Sequence, residues 1–225
     1  GAVLPVGALR LAANAGESFR VPTLIDLYYP GFSNPNLQPE RSRNLDVTLQ
    51  APNLLGGLSL AWFGRAANDL IVYDQNFVPQ NAQHASIQGI TATAHSRPLH
   101  GIVASLALTD LYQAIDTSPG AGDARLKFQP TVQATLGLER PFIGGGPAFG
   151  IRAQIVGPHI DFYSAPGGGS PAIDAYATID AYLRLQLAHQ AVLTLRARNI
   201  GNEFYAPIYG YPAPGRTYSL ELSTR

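Results

Sequence analysis

The sequence predicts an all-β chain, an antiparallel up-and-down transmembrane β-barrel present in part, with about ten strands. Three observations predict it. Apolar and polar residues alternate with a period of two through most of the chain, which only a strand sorts onto opposite faces. The alternations run for roughly ten to fifteen residues, where soluble strands average about five or six and a tilted membrane-spanning strand needs about nine to eleven. The connections between them alternate in length, as the turns and loops at the two ends of a membrane barrel do.

The segments follow in order. Leu45, Val47 and Leu49 oppose Asn44, Asp46, Thr48 and Gln50. Leu58, Leu60, Trp62, Gly64, Ala66, Leu70 and Val72 share one parity, with Arg65 and Asp69 on the other and Asn68 the one misplaced polar residue. In the stretch Arg125 to Glu139 every even residue is apolar, from Leu126 and Phe128 to Leu136 and Leu138, while the odd ones are almost all polar. Ala175 to Leu187 alternate with Asp174, Tyr176, Thr178, Asp180, Tyr182, Arg184 and Gln186; Leu193 and Leu195 oppose Thr194, Arg196 and Arg198; Tyr218, Leu220 and Leu222 oppose Ser219 and Glu221. The polar face carries Lys127, Asp180, Arg184 and Arg196 in strand interiors, where a sandwich core would reject them and a watery lumen would not. One face therefore meets lipid and the other water or a polar plug. Long links are expected near 16–38, 74–84, 113–124, 158–173 and 200–215, and short ones near 51–57, 97–100, 140–148 and 188–190.

Composition is compatible with this and excludes other classes. Of 225 residues, 46% are hydrophobic and 13% charged, with 15 basic and 15 acidic side chains, so no polyanion partner such as nucleic acid is implied. There is no Cys, hence neither a disulfide scaffold nor a thiolate metal site. No run approaches the roughly 18 apolar residues of a membrane helix. The chain opens on Gly1 without a signal segment and reads as a mature or truncated piece.

FRVPTLIDLYYPGFSNPNLQPERSRNLDV resembles the strand, loop and strand signature of the TonB-dependent outer-membrane receptors. The matching residues are Phe19, Arg20, Pro22, Thr23, Leu24, Leu27, Tyr28, Asn34, Pro35, Asn36, Leu37, Pro39 and Glu40. NDLIVYDQNF and IQGITATA resemble the family's next hairpin, although Thr91 stands where Glu is common. The closing segment is similar to the family's last hairpin through Asn199, Asn202, Tyr205, Gly210, Tyr211, Pro214, Gly215 and Arg216. The order and loop lengths resemble the cobalamin receptors most nearly. The resemblance implies one barrel domain over residues 1–225, the C-terminal part of a 22-stranded barrel with a plugged lumen, lacking the plug and first strands. It also implies an integral protein of a Gram-negative outer membrane that takes up a scarce small-molecule nutrient, cobalamin, an iron siderophore or similar. Its implied partners are membrane lipid, the missing plug and, through the plug, the TonB–ExbB–ExbD complex. No cofactor is implied. A passive porin or another outer-membrane barrel is the competing reading. Haem receptors place a ligand His within the segment that here runs from Val21 to Ser33, which holds none.

Tyr28, Tyr29, Phe32, Phe77, Phe162, Tyr163, Tyr205, Tyr209 and Tyr211 fall in or near the long links and are the candidate ligand contacts, since aromatic rings bury large areas at a mouth. Trp62, Phe63 and Tyr73 suit an interfacial girdle or lumen packing. Arg20 and Pro22 suit a loop brace better than a gate. His95 and His100 lack the carboxylate that a metal site would need, and Ser96 points away from His95 as strand neighbours do, so no nucleophile is activated. The glycine clusters at 144–146 and 167–169 lack phosphate-loop spacing. No convergent acid, base and nucleophile can be assembled, so no enzyme is expected.

Overall fold

In a computed structural model the chain forms one 11-stranded antiparallel meander, with a two-stranded hairpin in one of its loops. The structure describes residues 1–74, 76–118, 122, 124–142, 146–161, 171–188 and 191–224, with the backbone alone of 82 and 83. The strands are β1 (Ala2–Val6), β2 (Leu9–Arg20), β3 (Glu40–Ala51), β4 (Gly56–Tyr73), β5 (Pro79–Ser96), β6 (Val103–Asp116), β7 (Val132–Arg140), β8 (Ala148–Val156), β9 (His159–Ile160), β10 (Ala172–Ile173), β11 (Tyr176–Ala188), β12 (Ala191–Arg198) and β13 (Thr217–Thr224). Among the described residues a single short helix, α1 (Leu24–Tyr28), lies between β2 and β3. Each strand pairs with its sequence neighbour, and β8 pairs with β11 across the β9–β10 hairpin.

Register converts the sequence alternation into two chemically distinct faces. One row of paired residues runs Leu4, Leu11, Leu49, Leu60, Ala92, Leu108, Ala134, Ile155, Ala177 across nine strands without a polar side chain. The neighbouring row, on the opposite face, runs Arg10, Gln50, Ser59, Thr93, Ala107, Thr135, Gln154, Thr178. The segregation continues to the last strand, where Leu183, Leu195 and Leu220 pair on the apolar face and Arg184, Thr194 and Glu221 on the polar one. A slip of one residue anywhere would move a strand's whole apolar set to the wrong side. The apolar row also climbs. On β3 it lies two residues from the short-turn end, and on β11 one residue from the opposite end, the stagger that a tilted barrel wall requires.

The meander gathers short turns at one end, at 7–8, 52–55, 97–102, 141–147 and 189–190, and most of the longer links at the other, at 21–39, 74–78, 117–131, 157–175 and 199–216. Several predicted boundaries change. The stretch Arg125 to Glu139 is strand only from Val132. Upstream, Arg125 keeps only an isolated bridge to Ile115, Phe128 has φ +55°, Pro130 has no amide hydrogen, and the backbone donors of Phe128 and Thr131 bond Ile160 and Pro158 instead of a ladder. Lys127 is therefore a loop residue, not an interior strand charge. The 74–84 link shrinks to 74–78 because β5 starts at Pro79, and the 16–38 link starts only at Val21 because Phe19 and Arg20 still pair with β3. The hairpin of β1 and β2 brings the main sheet to eleven strands against about ten expected.

Candidate functional site

The first long link is held down by the family-type motif residues. Arg20 donates from Nε and Nη2 to the two Glu40 oxygens at 2.8 and 2.5 Å, a bidentate fork that locks the ends of β2 and β3 together. The same Glu40 Oε1 accepts from the backbone N–H of Ile71 at 2.7 Å, which ties in β4. Pro22 is buried beneath the turn, and Thr23 caps α1: its hydroxyl accepts from the Asp26 N–H at 3.2 Å while Asp26 Oδ2 accepts from the Thr23 N–H at 2.9 Å. Asn34 donates to the Pro79 carbonyl at 3.1 Å and accepts from the Asn36 N–H at 3.0 Å. Leu37 is buried, and next to it Gln38 exchanges hydrogen bonds with Asn81. Pro35 and Pro39 restrict the chain between these contacts. The motif is thus a brace, as the residue chemistry suggested for Arg20 and Pro22.

Two residues central to that brace escaped the sequence reading. Asp26 is buried in α1 and takes a 2.6 Å hydrogen bond from the Tyr73 hydroxyl at the end of β4. That bond, followed by those from the Thr23 hydroxyl and amide, holds the Asp26 carboxyl below the usual carboxylate range. The Thr-x-x-Asp spacing of a capping box was the available signal. Asn81, within the supposed link, also donates to the Asp69 carbonyl.

The predicted aromatic contacts divide into separate groups. Tyr29, Phe32 and Phe77 converge with Ile25 and Tyr73 around an apolar cleft of about 250 Å³. Tyr28 stays exposed and does not line it. Tyr205 stacks on Tyr176 with ring centroids 4.3 Å apart, and Tyr209 donates its backbone N–H to the buried Asp161 carboxylate. Tyr211 is exposed and forms an isolated bridge with Ile208. Phe162 and Tyr163 lie outside the described residues, as do Gly144, Gly145 and the whole cluster at 167–169. The last link is anchored by Asn199, which accepts from the Glu203 N–H and donates to the Glu203 carbonyl, and by Asn202, whose Oδ1 accepts from the Arg216 N–H. Gly215 allows that approach, since a Cβ there would stand 2.8 Å from the same oxygen, and Gly210 supplies φ +78°.

The polar face carries a groove of about 400 Å³ between β7, β8, β11 and β12, lined by Glu139, Arg152, Asp180, Tyr182, Arg184 and Arg196 among others. Several of its polar groups are engaged: Tyr182 donates to Glu139, Arg184 lies 4.8 Å over the Tyr182 ring, and Arg196 faces Glu221 at 3.7 Å. Asp180 accepts from the Asn199 N–H, and Arg65 donates to Asn44 at 2.7 Å. The Ser96 hydroxyl accepts from the backbone N–H of Ala104 at 2.8 Å. Among the described residues no group of His, Asp and Glu is placed to hold a metal ion.

Trp62, Phe63 and Tyr73 also separate. Phe63 lies on the polar face against Gly89, while Trp62 lies on the apolar face and donates from Nε1 to the Tyr112 hydroxyl at 2.7 Å, which donates in turn to Gln88. Asn68, misplaced by parity, stands on the apolar side near the long-loop end, where its Oδ1 lies 2.8 Å from His84 Nδ1.

A continuous apolar face backed by a continuous polar one, with braced loops at one end, defines a segment of membrane β-barrel wall. The chain belongs to the TonB dependent receptor-like, beta-barrel family, whose profile it matches over residues 1–200. It is 36% identical over 94 residues to the vitamin B12 transporter BtuB of Photobacterium profundum, covering 38% of this chain and 16% of that protein. To BtuB of Vibrio cholerae it is 27% identical over 218 residues, 93% of this chain and 34% of the relative. The chain thus spans about a third or less of these relatives. In fold it is similar to the copper transporter OprC, with a TM-score of 0.80 at 17% identity over 98% of this chain and 37% of that one. It also resembles the siderophore receptor PirA of Acinetobacter baumannii, at 0.77 and 15% over 97% and 39%.

Proposed function

We propose that this chain is the C-terminal barrel wall of an outer-membrane receptor that imports a scarce small-molecule nutrient with energy delivered through TonB. The observation that carries the reading is the pair of opposed rows, apolar on one face of the sheet from β1 onward and polar on the other from β2 to the last strand. An unpaired sheet edge is not viable in hydrocarbon, so the remaining strands of the full-length protein complete the barrel and its plug fills the polar interior. The short turns face the periplasm and the long links face outward. Ligand meets the outward aromatic cleft of Tyr29, Phe32 and Phe77 together with the plug, and the plug engages the TonB–ExbB–ExbD complex. Cobalamin and ferric siderophores are the first ligands to test, given the BtuB and PirA relatives.

The test is uptake of labelled cobalamin or ferric siderophore by cells whose only receptor is the full-length protein, with and without TonB. Saturable uptake that disappears without TonB supports the reading. Solute entry independent of TonB, with open conductance of the purified protein in a planar bilayer, replaces it with a passive porin.

A further inference from the structure

The apolar face does not end abruptly at the long-loop end. Counted from the short-turn ends of their strands, Arg43 on β3, Gln88 on β5 and Tyr112 on β6 stand eight, eight and nine residues up. At about 3.4 Å per residue and a tilt near 45° this is roughly 20 Å, close to the height of a barrel's apolar band. The Trp62 ring reaches the same level, because it folds over Gly64, whose row also contains Leu45 and Gln88. A chain of amphipathic groups, Trp62 to Tyr112 to Gln88, therefore marks the headgroup boundary.

Along β3 the next residues on this lipid-facing parity are cationic. Arg43 pairs in register with Glu17 and Ala66; Arg41, one rung higher, pairs with Phe19 and Asn68, and Asn68 with His84. The Arg41 side chain makes no hydrogen bond or ion pair among the described residues. Arg43 touches only Glu17, at 2.8 Å, with the two side chains 81% and 74% exposed, a pairing so solvated that a better anion displaces it at little cost. The Asn68 oxygen is taken by His84, which leaves its amide N–H groups as donors beside Arg41. Among the described residues Asp110 is, besides Glu17, the one acid on this face near the belt. It lies three strands along from Arg43, about 14 Å at the usual strand spacing.

We propose that Arg41, Arg43 and Asn68 form a seat for the phosphate of a lipid headgroup in the leaflet on the long-loop side, with that lipid's acyl chains lying on the apolar rows below. Guanidinium forks match phosphate oxygens bidentately, and the adjacent hydrocarbon surface selects a lipid over free phosphate. The inference rests on the lipid-facing assignment made above. It is independent of the imported nutrient.

The experiment uses the full-length receptor in nanodiscs of phosphatidylcholine with a minor fraction of phosphatidic acid, and counts lipids retained on the protein by native mass spectrometry. Enrichment of phosphatidic acid is expected, unaffected by millimolar inorganic phosphate, and reduced roughly thirtyfold in affinity in the Arg41→Gln/Arg43→Gln variant. Glu17→Gln, which releases Arg43, is expected to increase it. Equal retention of the two lipids, an unchanged double variant, or displacement by inorganic phosphate overturns the lipid seat and leaves the barrel reading intact. Failure of the unmodified protein to enter the bilayer overturns the barrel reading itself, and the seat with it.

Discussion

Replacing Leu136 by Arg puts the assignment of faces at risk in one residue. Leu136 lies on the apolar face between Leu106 and Ala153, is 47% exposed on the isolated sheet, and stands four residues from the short-turn end of β7. That is about 10 Å along the membrane normal for a tilted strand, near the middle of an apolar band about 25 Å tall. A guanidinium there costs about 2 to 4 kcal/mol of folding free energy in the bilayer. Thr135, its neighbour, points the other way between Ala107 and Gln154, where small and polar side chains leave room and water for an Arg, so the cost of Thr135→Arg is under about 1 kcal/mol. The assay is reversible urea unfolding of the full-length receptor in lipid vesicles, with heat-resistant gel mobility as the measure of assembly. Equal destabilisation by the two substitutions would refute the reasoning, because adjacent strand residues cannot both face hydrocarbon.

Other outcomes follow from the loop network and the sheet. Tyr73→Phe removes the hydrogen bond to buried Asp26 and should destabilise the docked first loop by about 1 to 3 kcal/mol, read as faster proteolytic cleavage within 21–39 while the barrel stays assembled. The Asp26 carboxyl is held low by the Tyr73 hydroxyl and then by Thr23, so its contribution is complete above the ordinary carboxylate range and disappears as pH falls through the lowered value. Protection of that loop should therefore fail on acidification, and Asp26→Asn should blunt the pH dependence. Gly89→Ala places a Cβ 2.5 Å from the Phe63 ring and 2.7 Å from the Asp110 carbonyl, and because the second is main chain, a loss of about 1 to 3 kcal/mol is expected in the same unfolding assay.

The two faces were legible because register forces every strand's apolar set onto one side, so each alternation carried the same message as its neighbours. What failed to show was the strand outside the lipid. Pro79 to His84 and Ser18 to Arg20 continue β5 and β2 beyond the headgroup belt, where no lipid imposes an apolar parity. The reverse error came from Leu126 to Pro130, whose alternation is coincidental in a loop with its own hydrogen-bond partners. Motif residues around the first loop were found through their resemblance to a known pattern, but their work as a brace depends on Asp26, Tyr73 and Asn81, whose partners lie more than forty residues away in sequence. Aromatic content located the loop ends. It could not say that Tyr205 would be used up in stacking while Tyr29, Phe32 and Phe77 would line a cleft.

The brace between the first loop and the β4–β5 hairpin relies heavily on the main chain: the carbonyls of Pro79 and Gln38 and the amides of Ile71 and Gln38. Those groups are the same whatever side chain stands at the position. Residues at the hairpin's tip, 74–78, can therefore drift or lengthen over generations without unfastening the hairpin's base, and diversification at the mouth is decoupled from the integrity of the wall.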